Sequence, residues 1–142
     1  MNCEVRKITF DDGQVRDAFV NKQKSAAEIL DYTAKLANSK HMMEWRLDCF
    51  ENATQMNHVI ELANEINENF PDLYLMITFR SQKNGGHTEL DSEDAYLNLV
   101  KILIEFQLSD AVDIELNHTS DRVEDLIACA HRQNMHVSQS EF

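Results

Sequence analysis

Glycine and proline are scarce in this sequence, with three glycines and one proline in 142 residues. So few chain breakers, beside 43% hydrophobic residues, exclude a disordered segment and indicate a folded, soluble domain long enough to bury a sizeable core. Positive charge is scarce too. Lysine and arginine number 13 against 25 aspartates and glutamates, for a net charge of −12. That balance argues against a nucleic-acid partner, whose binding rests on counterion release by clustered basic residues, and against an anionic membrane surface. No apolar run approaches the roughly 20 residues of a membrane span. No basic stretch leads into an apolar one, so no secretory signal is expected. The three cysteines, Cys3, Cys49 and Cys129, are odd in number, far apart and form no CxxC, which reads as free thiols in a reducing cytoplasm.

What is present is alternation. In Met42-Met43-Glu44-Trp45-Arg46-Leu47-Asp48, residues Met43, Trp45 and Leu47 fall on one face of a strand and Glu44, Arg46 and Asp48 on the other. A strand over 73–80 places Leu75, Ile77 and Phe79 opposite Thr78 and Arg80. A third, over 111–116, sets Val112, Ile114 and Leu116 against Asp113 and Glu115. Residues 17–20 and 135–140 supply two further strands. Amphipathic helices lie between them. Ser25-Ala26-Ala27-Glu28 is a capping box that opens the first, and Asn38-Ser39-Lys40 closes it. The second runs from about Thr54 to Asn69 and is stopped by Pro71. Ser92 caps the third, with Glu93 and Asp94 suited to its positive end. The last starts near Ser120 or Asp121. Asp11-Asp12-Gly13 marks a hairpin in residues 1–16. No linker divides the chain. The expectation is one α/β domain over 1–142: an N-terminal β-hairpin in 1–16, then β/α units over 17–142 with a parallel sheet and right-handed crossovers.

Oily strand faces under helices and ionic faces turned inward are what a (β/α) barrel needs around its site. Glu44, Arg46, Arg80, Asp113 and Glu115 converge if these strands are neighbours. Buried ion pairs alone are weak evidence for stability, so pairs on three successive strand faces point to a site for a polyhydroxylated small molecule. Glu44, Asp48, Asp113 and Glu115 are ligands of a type that suits Mg²⁺, but the two arginines among them oppose a cation. The six histidines show no metal-ligand spacing. No metal and no cofactor is expected. Gly85-Gly86 follows a strand but lacks the spacing of either phosphate-binding glycine motif, and reads as a loop at a barrel mouth. His87 and His118 fall in loops after strands, within reach of a site.

At these residues the chain resembles type I 3-dehydroquinate dehydratase, a (β/α) barrel family of the shikimate pathway. Met43-Glu44-Trp45-Arg46-Leu47-Asp48 is similar to its second strand. Thr78-Phe79-Arg80-Ser81, with Lys83 and Gly85-Gly86, is similar to its third strand and loop, and Ala111-Val112-Asp113-Ile114-Glu115-Leu116 to its fourth. The resemblance covers 15–142 well and 1–14 loosely. It implies the first five strands and four helices of a (β/α)₈ barrel, whose full form needs about 250 residues. It also implies a lyase chemistry in which a lysine forms a Schiff base with the ketone of 3-dehydroquinate, a histidine moves the protons and a glutamate orients that histidine. Glu44, Arg46 and Arg80 match the family's substrate-binding positions. The catalytic positions do not match: the loop glutamate falls at Asn84, the fifth-strand histidine at Ser140, and the imine lysine belongs to a sixth strand beyond Phe142. Lys22 and Lys83 lie in loops at the mouth, not on a rigid strand. No catalytic residue is therefore assigned.

The expectation is a shortened relative that is inactive alone and binds a 3-dehydroquinate-like molecule weakly or not at all. The alternative is a non-catalytic interaction module that self-associates, or pairs with another chain, through open sheet edges at 17–20 and 135–140. A complementing chain carrying the lysine is the third possibility. Apolar atoms of the inner face are expected to stay wet.

Overall fold

The computed structural model describes residues 4–37 and 42–142. Cys3, His41 and the expected helix end at Asn38-Ser39-Lys40 lie outside the described residues. Among those described, six strands form one sheet and four α-helices join its parallel members.

Strands β1 (Val5–Thr9) and β2 (Val15–Asn21) make an antiparallel hairpin. Its turn closes through Gly13, whose φ of +89° is the left-handed conformation that a residue without Cβ adopts freely. Beyond β2 the chain alternates: α1 (Ala26–Leu36), β3 (Met42–Arg46), α2 (Met56–Asn69), β4 (Leu75–Thr78), α3 (Glu93–Glu105), β5 (Ala111–Glu115), α4 (Ser120–Arg132) and β6 (His136–Ser140). The sheet order β1-β2-β3-β4-β5-β6 follows the sequence without reversal, and β2 to β6 are parallel. A sheet wound in one direction is a half-barrel; a doubly wound sheet would reverse.

Local signals act as expected. Ser25 accepts from the amide of Glu28 and the Glu28 carboxylate reaches back to the Ser25 amide, a complete capping box on α1. The Ser92 hydroxyl accepts from the amide of Ala95 at the start of α3. The strand foreseen at 42–48 ends at Arg46 and continues as a 3₁₀ turn over Leu47–Cys49. The strand foreseen at 73–80 is regular only over Leu75–Thr78, although its inside-outside parity persists to Arg80.

Two cores result. Met43, Trp45, Leu47, Leu75, Ile77, Phe79, Val112, Ile114 and Val137 line the outer face and are buried beneath the four helices. Each such large side chain contributes about 1.5–3 kcal/mol by leaving water. A second cluster fills the floor of the inner face, where Ile8 and Phe10 of the hairpin cover Ala18, Met42, Met76 and Ala111.

That second core corrects two expectations. The strand expected over 17–20 is part of a seven-residue strand shared with the hairpin, so its edge is paired with β1 and is not open. Nor is the apolar floor wet, because the hairpin folds over it. The hairpin tip also crosses to the far side of the sheet, where the Asp11 amide donates to the Val137 carbonyl of β6 at 2.8 Å. Asp11 meets His131 of α4 at 2.8 Å, and His136 lies 3.6 Å from Asp12. The sheet ends in β1 and β6.

Candidate functional site

Strand parity delivers the ionic side chains to the inner face, and register aligns them. Glu44 stands beside Met76, Arg46 beside Thr78, Asp113 beside Ser138 and Glu115 beside Ser140. Glu44, Arg46 and Arg80, the three residues singled out for substrate, line one cavity of about 400 Å³ together with Arg6, Ser140 and Phe142.

Each guanidinium there is braced by a carboxylate. Arg6 of β1 grips Glu44 through Nε and Nη2, at 3.1 and 2.6 Å, and the Thr78 hydroxyl donates to the same carboxylate at 2.6 Å. Arg46 grips Asp48 through Nε and Nη2, at 2.9 and 3.0 Å. Such bidentate charge-assisted pairs fix orientation as well as supplying energy. Arg80 Nη1 lies 3.0 Å from Glu115 and 3.1 Å from Asp113, and its Nη2 donates to the Ser140 hydroxyl at 3.2 Å. The Phe142 ring sits 4.8 Å from the Arg80 guanidinium carbon.

The carboxylates differ in state. Burial works to raise the Asp48 carboxyl, but hydrogen bonds from Arg46 and the amides of His87 and Arg80, with the Arg46 charge, hold it below the ordinary aspartate value. Burial likewise opposes charge on Glu115, yet the Ser81 side chain and amide and the His118 imidazole hold it low. Asp113 goes the other way. Burial raises it, the Glu44 charge adds to the rise, and neither Arg80 nor the hydroxyls of Ser138 and Ser140, each 2.6 Å away, reverse it. Arg6 and Arg46 are raised: burial opposes their charge, and Glu44 and Asp48 more than restore it.

The neighbouring loop is built around the same anions. A Cβ on Gly86 would lie 1.7 Å from the Arg80 carbonyl oxygen, so this glycine serves close packing of the loop on the strand end. Asn84 and Asn117 exchange two amide hydrogen bonds of 3.0 and 2.9 Å, and Lys83 Nζ donates to the Asn117 carbonyl at 3.3 Å. His87 meets Asp48 through its backbone amide. The His118 side chain is buried, stacks on Tyr96 with ring centres 4.4 Å apart and reaches Glu115 at 3.1 Å. The Tyr96 hydroxyl accepts from the Glu115 amide at 2.9 Å, and burial pushes its acidity well out of the usual range.

Three participants escaped sequence reasoning. Arg6 lies 38 residues from Glu44, with nothing local to announce the pairing. Ser138 carried no signal beyond its inward parity. Tyr96 falls among the buried residues of α3, and its hydroxyl, which needs a partner when buried, is the available clue. Among the described residues no group of three or more His, Cys, Asp or Glu side chains is arranged to hold a metal ion. No helix among them is long and apolar enough to cross a membrane.

Comparison with known proteins gives one answer. The family model described as type I 3-dehydroquinase matches residues 21–141. The 3-dehydroquinate dehydratase of Klebsiella pneumoniae is 34% identical over 137 residues, which are 96% of this chain and 54% of that protein. The 3-dehydroquinate dehydratase of Shigella boydii is 35% identical over 99 residues, 70% of this chain and 39% of that protein. The chain thus spans about half, or less, of the length of these curated relatives. A crystal structure of type I 3-dehydroquinate dehydratase from Clostridium difficile, with covalently modified comenic acid, superposes with a TM-score of 0.80 at 27% identity, covering 94% of this chain and 55% of that one.

Proposed function

The chain belongs to the type I 3-dehydroquinase family, and from that premise we propose that these residues form the first part of a (β/α)₈ barrel that keeps substrate-facing side chains and lacks the imine chemistry. The site is that of a lyase of aromatic amino acid biosynthesis without its proton shuttle. Glu44, Arg46 and Arg80 frame a cavity for a 3-dehydroquinate-like molecule, held weakly. Residues 1–142 act as one domain in a reducing cytoplasm, with Cys49 and Cys129 as thiols.

One observation carries this reading: the side chains at the two catalytic positions are committed to other partners. Asn84 is locked in a reciprocal amide pair with Asn117, and Ser140 donates to Asp113. A carboxamide brings no negative charge to orient an imidazolium, and a hydroxyl exchanges protons poorly near neutral pH. An imine lysine needs a free amine, which burial supplies. Lys22 is 45% exposed and paired with Glu4, and Lys83 is exposed.

The test is turnover of 3-dehydroquinate followed by ultraviolet absorbance of the conjugated product, with borohydride trapping of any imine. No product and no trapped adduct are expected from the purified 142 residues. Robust turnover overturns the proposal.

A second reading, an interaction module, draws on β6. This strand ends the sheet and leaves Gln139 facing outward. A second copy, or a chain bearing the lysine, would pair there. Borohydride trapping that appears only on mixing with such a chain favours complementation.

A further inference from the structure

We propose that the cavity takes a small organic dianion, and that Arg6 of the hairpin is the residue that selects for the second negative charge. This rests on the reading that the cavity holds a small ligand. It changes which groups that ligand meets.

Glu44 is 1% exposed and is occupied by Arg6 and Thr78. A ligand entering the cavity therefore meets Arg6, whose side chain is 41% exposed, in front of Glu44. An acceptor for ligand hydroxyls has been replaced, at the surface of the site, by a donor for anionic oxygens. Arg46 and Arg80 line the same cavity, with side chains 17% and 11% exposed. A guanidinium carries five N–H donors, and the bracing bonds of each arginine leave others for a ligand.

The bracing sets the near field. Asp48, Asp113 and Glu115 are buried and do not line the cavity; of the two carboxylates that do, Glu44 is 1% exposed and gripped by Arg6, and Glu141 is exposed to solvent. The donors stand in front, so a ligand at hydrogen-bond distance feels the guanidiniums more than the carboxylates. The chain's net charge of −12 opposes an anion at long range. That field is screened beyond about 8 Å at physiological ionic strength, which leaves the short-range donors to decide. Three planar forks around one cavity suit two carboxylate groups on a short carbon frame better than a single carboxylate on a polyol.

Calorimetric titration of succinate and of quinate, a hydroxylated monoanion, tests this on the whole chain. Succinate should bind the parent more tightly than quinate. Arg6→Gln should weaken succinate about tenfold, the scale of one charge-assisted bond, and quinate less than about twofold. Arg6→Gln leaves Glu44 short of its partner, so the same titration on Arg6→Gln with Glu44→Gln, which removes the stranded charge, stands in if the single variant does not fold. Lys7→Gln, on the opposite face of β1, removes the same charge and should change neither affinity. Quinate binding with no preference for succinate, equal weakening of both ligands, or tighter binding once Arg6 is gone overturns the inference and leaves the small-molecule site standing. Binding of neither ligand, nor of 3-dehydroquinate in parallel, overturns both.

Discussion

The two faces of β3, β4 and β5 are built from the same strands by opposite means. On the outer face Met43, Trp45, Leu47, Leu75, Ile77, Phe79, Val112 and Ile114 pack against helices and are held mainly by shape, with the Met43 sulfur also accepting from Asn21 at 3.6 Å and Thr33 at 3.4 Å. Even the Trp45 indole N–H has no hydrogen-bond acceptor among the described residues. On the inner face Glu44, Asp48, Asp113 and Glu115 are as deeply buried, but each is held by named donors at hydrogen-bond distance. Non-directional burial tolerates substitution of similar volume, whereas a buried charge network does not tolerate the loss of one member. The outer face should therefore respond to volume and be indifferent to pH. The inner face should respond to charge and to pH.

The largest effect should come from the outer face. Trp45→Ala opens a cavity in the outer core beside Phe50, whose ring centre lies 5.9 Å from that of Trp45, and should cost about 3–5 kcal/mol, measured by urea unfolding. Trp45→Phe should cost much less, because it keeps an aromatic ring and removes the unpartnered N–H. Neither loss should vary between pH 5 and 8. A clear pH dependence would show that the two faces are coupled.

Asp48→Asn probes the inner face and should cost about 2–4 kcal/mol at pH 7, since it strips Arg46 of its partner and weakens two backbone bonds. The Asp48 carboxyl is held below its ordinary value of about 3.9, so its contribution is present above that pH and is lost as pH falls toward the folded value. The parent and the variant should therefore converge in acid. A constant gap down to pH 3 would mean that Asp48 acts through packing.

How much of this was legible follows from the same contrast. The alternation Met43-Glu44-Trp45-Arg46 fixed which side chains face the helices, because a period of two is written in neighbouring residues. The Ser25–Glu28 capping box and the Ser92 cap were legible for the same reason: cap and partner lie three residues apart. The inner face was legible only as a set of charges. Its pairings join Arg6 to Glu44, Arg80 to Glu115 and Arg80 to Ser140 across 38, 35 and 60 residues, and no local pattern encodes those. The hairpin was recognised from Asp12-Gly13, but its lie over the floor, with Phe10 beneath the site, depends on tertiary packing. Parity also could not tell strand from turn at Leu47–Cys49, because Leu47 still joins the outer core and Asp48 still meets Arg46.

Asp113→Asn should behave in the opposite sense to Asp48→Asn, with an effect of about 1 kcal/mol. Burial, aided by the Glu44 charge, raises the Asp113 carboxyl, so the parent is most stable with it protonated and loses stability as pH rises from about 4 through the folded value. Asparagine imitates the protonated form and does not titrate. Unfolding at pH 4 and pH 7 should show the variant gaining on the parent as pH increases. If it loses ground instead, the ion pair with Arg80 outweighs burial, and the Asp113 charge stabilises the inner face.

The smallest effect on the isolated fold should come from Gln139→Pro, which separates the two edges of β6 as the other variants separate its faces. His136 donates its amide to Asp110, and Ser140 accepts from Leu116, so the even-numbered residues of β6 bond to β5. The odd-numbered ones point to the open side, where the Val137 carbonyl is already taken by the Asp11 amide of the hairpin tip. The hairpin thus blunts the lower part of this edge and leaves Gln139 as the exposed upper part. Proline at an outward position removes a donor the sheet does not use and should cost within about 1 kcal/mol, whereas Ser138→Pro removes a ladder bond and should cost about 3 kcal/mol or more. If copies of the chain pair through β6, light scattering at tens of micromolar should show a mass above the monomer that rises with salt, since the charge of −12 repels between copies. Gln139→Pro should return that mass to the monomer with the fold intact. A parent that is monomeric at both low and moderate salt would show that the hairpin tip and a single exposed residue protect the edge well enough, and the interaction-module reading would lose its physical support.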